Sequence, residues 1–363
     1  MSENTYYGDY LGLTKLLSCQ QPRSLAAGRP AHDEMLFIIT HQTYELWFRQ
    51  ILHELHSVSG ILQQKSVPDS EMGQAVARLE RVTEIQKVLI HQIQVLETMR
   101  PLDFLDFRDL LVPASGFQSF QFRLIENLLG LPNEQRLKYH DSYYYDSLSA
   151  EHKQIILDAE HLPSLFQSVE AWLERTPFLK TEHFDFWQTY QEAVQAAFAQ
   201  DREMIIQNSL LSDKDKAFRQ RQIEATTAEF ALLFDSRRYE ELRDSGKRRL
   251  SYQATQAALL IMLYRERPVL QMPYLLLNTL VQIDELLTTW RSRHALMVQR
   301  MIGSKLGTGG SMGYDYLIKT LESHRIFSDL TQLTTFLIPR SALPQLPDDF
   351  DKSLGFAYQR SPA

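Results

Sequence analysis

Cysteine is almost missing from this chain. Cys19 is the only one in 363 residues, which leaves no internal disulfide and no thiolate cluster for zinc or iron–sulfur. A tightly held metal must therefore meet histidine or carboxylate. Long apolar runs are missing as well: a stretch such as ALLIMLY at 258–264 falls far short of the roughly 20 residues of a membrane span. Nor is there a positive excess, since 38 Lys and Arg against 45 Asp and Glu leave a net charge of −7. A phosphate backbone demands a basic footprint, so neither nucleic acid nor membrane is an expected partner. The opening MSENTYYGDY has no basic start and no apolar core, and the expected location is the cytoplasm.

Glycine is scarce except in one place. Five of the 14 glycines fall between Gly303 and Gly313, around the stretch GTGGSMGYDYL. Such a cluster marks a tight path, a hinge or a ligand cradle, because glycine tolerates positive φ and close backbone approach. The spacing Gly307, Gly309, Gly313 does not match Gly-x-Gly-x-x-Gly, and the Gly-Lys-Ser/Thr ending of a phosphate loop is lacking. Two readings stand: a segment that closes over a small ligand and offers Thr308 or Ser311 to it, or a tight connection between helices.

What the chain does have is helical period. Phe37, Tyr44, Phe48, Ile51 and Leu55 recur at three- and four-residue steps, the pattern of a helix that buries one face. Similar stretches cover about 74–100, 147–175, 185–208, 215–235, 252–264 and 274–302. Runs of period two are few, so the expected fold is an all-α helical bundle with a small helical insertion. RPLDF at 100–104 and VPASGF at 112–117 read as punctuation between helices, and a helix ends before Pro268. We expect one domain over 1–363, with a densely charged subregion at about 212–250 that reads as a solvated helical pair, since both signs alternate there.

Two histidines interrupt apolar stripes. Counting from Pro273 to Gly303 gives Leu276, Leu280, Ile283, Leu287, Trp290, His294, Met297 and Met301; the earlier helix gives Phe37, His41, Tyr44, Phe48, Ile51 and Leu55. Both imidazoles are expected to point inward. A single histidine on such a face usually reads as a hydrogen-bonded core residue. An axial histidine with a second polar group across an apolar cavity is also how a helical protein holds a heme. Other chemistries lack their signatures. Glu-x-x-His does not occur, the HELH at 53–56 is not His-Glu-x-x-His, and PASGF is not a nucleophile elbow.

Four long blocks together stop being generic. YYGDYLGLTKLLSCQQP at 6–22, HDEMLFIITHQTYELWFRQILHEL at 32–55, LDFLDFRDLLVPASGFQSFQFRLIENLLG at 102–130 and WRSRHALMVQRMIGSKLGTGGSMGYDYL at 290–317 closely resemble the tryptophan 2,3-dioxygenase family, in the same order. TTFLIPR at 334–340 is similar to its animal-type members. The resemblance implies a heme b enzyme, one heme per subunit held between core helices, that opens the indole ring of L-tryptophan with O2 to give N-formyl-L-kynurenine, the first step of the kynurenine pathway. It also implies a homotetramer.

By the same likeness His294, in Trp-Arg-x-x-His, is the axial iron ligand and His41 the distal residue that meets the indole N–H. Arg108 resembles the carboxylate-binding arginine, Phe37 and Phe104 the walls of the indole pocket, Ser115 and Gly116 the neighbours of the distal histidine, and Thr308 the loop residue that contacts the amino acid. Tyr7, Tyr10 and Leu11 resemble residues that complete the pocket of a neighbouring subunit. Trp290, one turn before His294, is a candidate support for that ligand. Met312 stands where the family usually has a second serine, and Phe104 where some relatives have tyrosine. Two alternatives are a related heme enzyme acting on a modified indole or tryptophan derivative, and a heme or tryptophan sensor without turnover.

Overall fold

The computed structural model describes residues 5–137, 143–177, 179–180, 184–307 and 313–347, and no strand is found among them beyond one isolated bridge between Lys180 and Asp185. Three single turns, α1 (Tyr7–Tyr10), α2 (Leu13–Leu16) and α3 (Arg23–Ala26), lead into α4 (Glu34–Leu62), α5 (Asp69–Leu96), α6 (Pro101–Arg108) and α7 (Phe120–Leu129). Then follow α8 (Ala150–Glu160), α9 (Leu165–Glu174), α10 (Phe186–Gln207), α11 (Asp213–Phe234) and α12 (Ser236–Asp244). The chain continues through α13 (Tyr252–Leu263), α14 (Pro268–Ile302), α15 (Gly313–Ser323) and α16 (Ser328–Gln332). The all-α expectation holds.

Contacts divide the chain into two compact units. The first comprises 1–56, 80–164 and 283–326. Its core includes Phe48, Ile51 and Leu55 of α4, Ile85, Leu89 and Ile93 of α5, Ile125 and Leu129 of α7, and Ile283 and Leu287 of α14, all under a tenth exposed. The start of the chain is tied down by one buried acid: Glu34 accepts the backbone N–H groups of Arg23 and Ser24 at 2.8 Å each. A helix N-terminus carries orphan donors, and a carboxylate meets both them and the dipole.

The second unit comprises 57–79, 165–282 and 327–363. Asp329, 4% exposed, accepts from the backbone nitrogens of Arg249 and Leu250 at 2.7 and 2.8 Å. Trp187 donates its indole N–H to the Tyr252 hydroxyl at 2.7 Å, and Tyr239 bonds both Thr255 and the Leu250 carbonyl. The charged helices α11 and α12 bury only Phe230, Leu233 and Tyr239, so their many charges lie on the remaining, open faces.

Two boundary expectations need correction. RPLDF does not separate helices; it begins one. Arg100 is extended, Pro101 occupies the first helical position of α6, and Asp103 Oδ2 accepts the Arg100 N–H at 3.3 Å. Proline suits that position because its missing N–H would be unpaired anyway. Likewise α14 starts at Pro268 rather than Pro273, which lies inside the helix at the loss of one backbone hydrogen bond.

Candidate functional site

Every element of the site belongs to the first unit. One face of α4 presents Phe37, His41, Tyr44, Glu45 and Phe48; one face of α14 presents Trp290, Arg291, His294, Met297, Val298 and Met301. With Phe104 and Arg108 of α6, the turn at 115–119, Phe122, Arg123 and Glu126 of α7, and Tyr316 and Thr320 of α15, they enclose a cavity of about 340 Å³. That volume lies in the range of small-molecule sites. Its lining is mostly aliphatic and aromatic, with the polar groups concentrated on a few residues.

His41 has an accessible ring, yet burial lowers its pKa, a shift that its bond to Phe37 and the charge of Glu45 oppose. Both facts hold because the open face of the ring is the cavity wall. Its Nδ1 lies 2.7 Å from the Phe37 carbonyl oxygen. A carbonyl only accepts, so Nδ1 carries the proton and Nε2 of the neutral ring is left with a lone pair. His41 is thereby set as an acceptor. The ring also packs on Phe37, centroid to centroid 4.1 Å, and Phe37 stacks on Phe104 at 5.8 Å. Phe107 closes that cluster from behind, edge-on to Phe104 at 5.5 Å.

His294 differs in having no such anchor. Its Nδ1 is buried without a protein hydrogen-bond partner, and burial first, then repulsion from His41, lowers its pKa to about 4. The ring is neutral and stacks on Trp290 at 5.2 Å with 24° between planes. Trp290 thus supports His294 by its face and not by a hydrogen bond; its N–H points to the Tyr44 hydroxyl at 3.4 Å. A neutral, rigidly packed imidazole that opens on an apolar cavity meets the requirements of an axial heme ligand.

Arg108 donates an Nη2 hydrogen to the Leu306 carbonyl, while its Nε has no partner. Ser115 caps the short turn Gly116–Gln118 by accepting the Phe117 N–H at 3.3 Å, which holds Ser115 and Gly116 against the cavity. The structure therefore brings Phe37, His41, Phe104, Arg108, Ser115, Gly116 and His294 to one space. It does not bring Tyr7, Tyr10 and Leu11 there: they are 70%, 77% and 43% exposed and line no part of the cavity of their own chain. Thr308, with Ser311 and Met312, lies outside the described residues.

Two of the clustered glycines have local reasons. Gly303 has φ 60° and stops α14, its N–H bonding the Gln299 carbonyl at 2.8 Å. Gly313 has φ 28°, and an added Cβ there would meet Val298 at 3.1 Å. Gly307 and Gly313 both line the cavity.

The sequence reading missed one feature. Arg123, Glu126 and Arg291 line the cavity together with His324, which follows α15. All four are buried. Arg123 and Glu126 are three residues apart, a spacing that ordinarily reads as a surface ion pair, and His324 sits in the charged string ESHR. Nothing local marks them as interior.

Comparison with known proteins gives the family. Residues 1–337 match the family model of tryptophan 2,3-dioxygenase. The chain is 53% identical to the tryptophan 2,3-dioxygenase of Bdellovibrio bacteriovorus over 97% of its own length and 98% of that relative's. It is 48% identical to the enzyme of that name from Alteromonas mediterranea (98% and 99% covered) and 46% identical to the one from Dictyostelium discoideum (98% and 89%). With the two stripe-breaking histidines, the arginine of α6 and the aromatic wall on one cavity, and with these matches along nearly the whole chain, this protein belongs to the tryptophan 2,3-dioxygenase family.

Proposed function

We propose that this chain is a heme-dependent dioxygenase that opens the indole ring of L-tryptophan with O2 and releases N-formyl-L-kynurenine, the first step of tryptophan breakdown along the kynurenine pathway. The family is heme-dependent; one heme b per subunit, with His294 as its axial ligand, is our reading. The observation that carries it is the pairing of an anchored imidazole, His41, with an unanchored one, His294, on a single apolar cavity. When bound, the heme iron supplies the redox chemistry by which O2 reacts with a closed-shell indole, which no amino-acid side chain provides.

The remaining steps fall to the residues. Arg108 receives the substrate carboxylate with its planar fork, a charge-assisted contact that rejects indoles lacking that group. Phe37 and Phe104 form an aromatic wall on which the flat ring packs, excluding water. His41 Nε2 accepts the indole N–H and fixes which ring edge faces the reacting centre. Ser115 and Gly116 shape the wall beside His41. Thr308 is assigned to the substrate's amino-acid end, with the glycine-rich segment as its carrier.

We further read the chain as a cytoplasmic homotetramer and a single domain over 1–363. Among the described residues no helix is long and apolar enough to cross a membrane, and the family match runs unbroken through residues of both compact units. Tyr6, Tyr7, Tyr10 and Leu17, each at least 70% exposed, support an N-terminal segment that a second copy covers, since aromatic clusters are seldom left to water. Tyr7, Tyr10 and Leu11 then complete a neighbour's pocket.

The test is optical. The heme-loaded protein is reduced without air, mixed with L-tryptophan and O2, and the formylated product is followed by absorbance. Product from L-tryptophan but not from ring-substituted analogues is the expected result. Turnover of a modified indole alone points to the related enzyme, and a heme spectrum with no product points to a sensor.

A further inference from the structure

Beside the large cavity lies a smaller void of about 20 Å³, and all of its lining belongs to the first unit. Protein interiors are packed to crystal density, with few gaps as large as a water molecule; about 10–15 Å³ is enough to hold one. Four helices meet around this gap. Ile51 of α4, Leu89 of α5, Ile125 and Leu129 of α7, and Leu286 and Leu287 of α14 supply its aliphatic wall, and all but Leu286 are less than a tenth exposed.

The rest of the wall is aromatic and is shared. Phe48, Phe122 and Trp290 line both the void and the large cavity. Ring centroids are 5.5 Å apart for Phe48 and Phe122 and 5.3 Å for Phe122 and Trp290, so a single layer of packed rings divides the two spaces. The void is set away from the groups assigned to the amino acid. Ile51 is ten residues beyond His41 on α4, about 15 Å along the helix axis, and neither Phe104 nor Arg108 reaches the void.

Polarity decides what can occupy it. Gln86, 4% exposed, contributes the one amide of the lining; its Nε2 donates to the Ile283 carbonyl at 3.2 Å, and its Oε1 has no protein partner. The Trp290 N–H is turned to the Tyr44 hydroxyl. A water here would meet one side-chain acceptor, whereas buried waters make about two to four hydrogen bonds. Apolar voids stay dry and take xenon or small apolar molecules instead.

We propose that this void is a docking chamber for O2, from which the gas passes between the Phe48, Phe122 and Trp290 rings into the reaction cavity. The proposal rests on the dioxygenase reading above, which makes O2 the apolar gas that the chain must collect, and adds to it a place for that gas. An amino acid seated against His41, Phe104 and Arg108 fills the substrate side of the large cavity. O2 held behind the rings stays one ring motion from the reacting centre and competes with no substrate contact.

The experiment has a binding arm and a kinetic arm. Crystals of the heme-loaded full chain are pressurised with xenon, an electron-dense probe of apolar gas sites. Xenon density among Ile51, Leu129 and Leu287 is expected in the wild type. It should vanish in Ile51→Phe and Ile125→Phe, which fill the void, and gain occupancy in Leu129→Val, which enlarges it. In steady-state kinetics the two filled variants should raise the KM for O2 about threefold or more, with the KM for L-tryptophan and kcat at saturating O2 within about twofold of wild type. Overpacking strains a core, so melting and the Soret band are recorded for every variant, and Leu129→Val supplies a change of the opposite sign that should leave the KM for O2 no higher than in the wild type.

A wild-type crystal without xenon in the void, or with xenon only in the large cavity, overturns the proposal. So does an unchanged KM for O2 in both filled variants, which makes the void a packing gap only, or an equal rise in Leu129→Val, which traces the effect to disturbed packing. Absence of product from L-tryptophan in the wild type removes the dioxygenase reading and the O2 role with it, while the xenon arm still separates a gas site from a packing gap.

Discussion

The two compact units treat their buried polar groups differently. In the second, Asp329, Tyr239 and Trp187 each find a partner within the unit, and among its described side chains only Glu71 Oε2 and Thr331 Oγ1 are buried without one. In the first, the residues around the cavity keep open valences: His294 Nδ1, both ring nitrogens of His324, and Nε of Arg108 and Arg123 are buried without a hydrogen-bond partner. An unmet polar group costs roughly 1–3 kcal/mol in a core, so natural folds keep such groups mainly where something else binds. The difference teaches that the second unit's polar interior serves the fold, while much of the first unit's polar interior awaits a ligand.

That contrast can be broken most sharply at His294. His294→Ala should abolish stable heme uptake, with no Soret band at normal stoichiometry, yet leave far-UV circular dichroism unchanged. Retained heme would sink the axial assignment.

Next in size is Glu126, whose carboxylate accepts from Arg123, Arg136 and Arg291. Glu126→Gln strips three buried arginines of their counter-charge and should lower stability by about 3–5 kcal/mol, the usual cost of breaking a buried pair, read from denaturant midpoints. The same acid predicts a pH dependence. Its pKa is held well below 4.5 by the neighbouring arginines and His324, against the effect of burial. Its stabilisation is therefore complete above about pH 4.5 and is lost as pH falls through the lower, folded value. His324, whose pKa burial lowers from 6.5, adds a loss that begins as pH drops below about 6.5. A stability curve flat between pH 6.5 and 4.5 contradicts the His324 part, and one that stays flat well below pH 4, in a protein that melts cooperatively, contradicts the Glu126 part.

In the second unit Asp329→Ala strands two buried backbone N–H groups and should cost about 1–3 kcal/mol. Heme per folded chain should stay the same. A heme deficit there would blur the distinction between the units.

Arg108→Leu should raise the KM for L-tryptophan about tenfold or more and lower turnover with it; steady-state kinetics with an unchanged KM would remove the carboxylate role. The smallest effect is expected at His41→Ala. Loss of one neutral acceptor is worth about 0.5–1.5 kcal/mol, so heme should remain and kcat/KM should fall by about tenfold or less.

Much of the site was legible in the chain because helical period is local. A histidine at i, i+4 or i+7 of an apolar stripe must share the stripe's direction, which is why His41 and His294 could be placed before any coordinates. The arginine cluster was not legible. Arg123, Glu126, Arg136, Arg291 and His324 come from three stretches of sequence, and in each a charged residue has the same local signature whether it faces water or a cavity. The start of α6 was misplaced for a related reason, since proline marks a boundary without saying on which side the helix lies.

By itself the sequence determined the helical class, the low reach for metal chemistry through sulfur, and the two inward imidazoles, all of which follow from composition or from spacing along one helix. Only the tertiary structure decided which helices share a cavity, which nitrogen of His41 holds the proton, and that one carboxylate answers three guanidinium groups. Those depend on distances between segments remote in sequence, and pairwise electrostatics takes its strength from burial that no single helix creates.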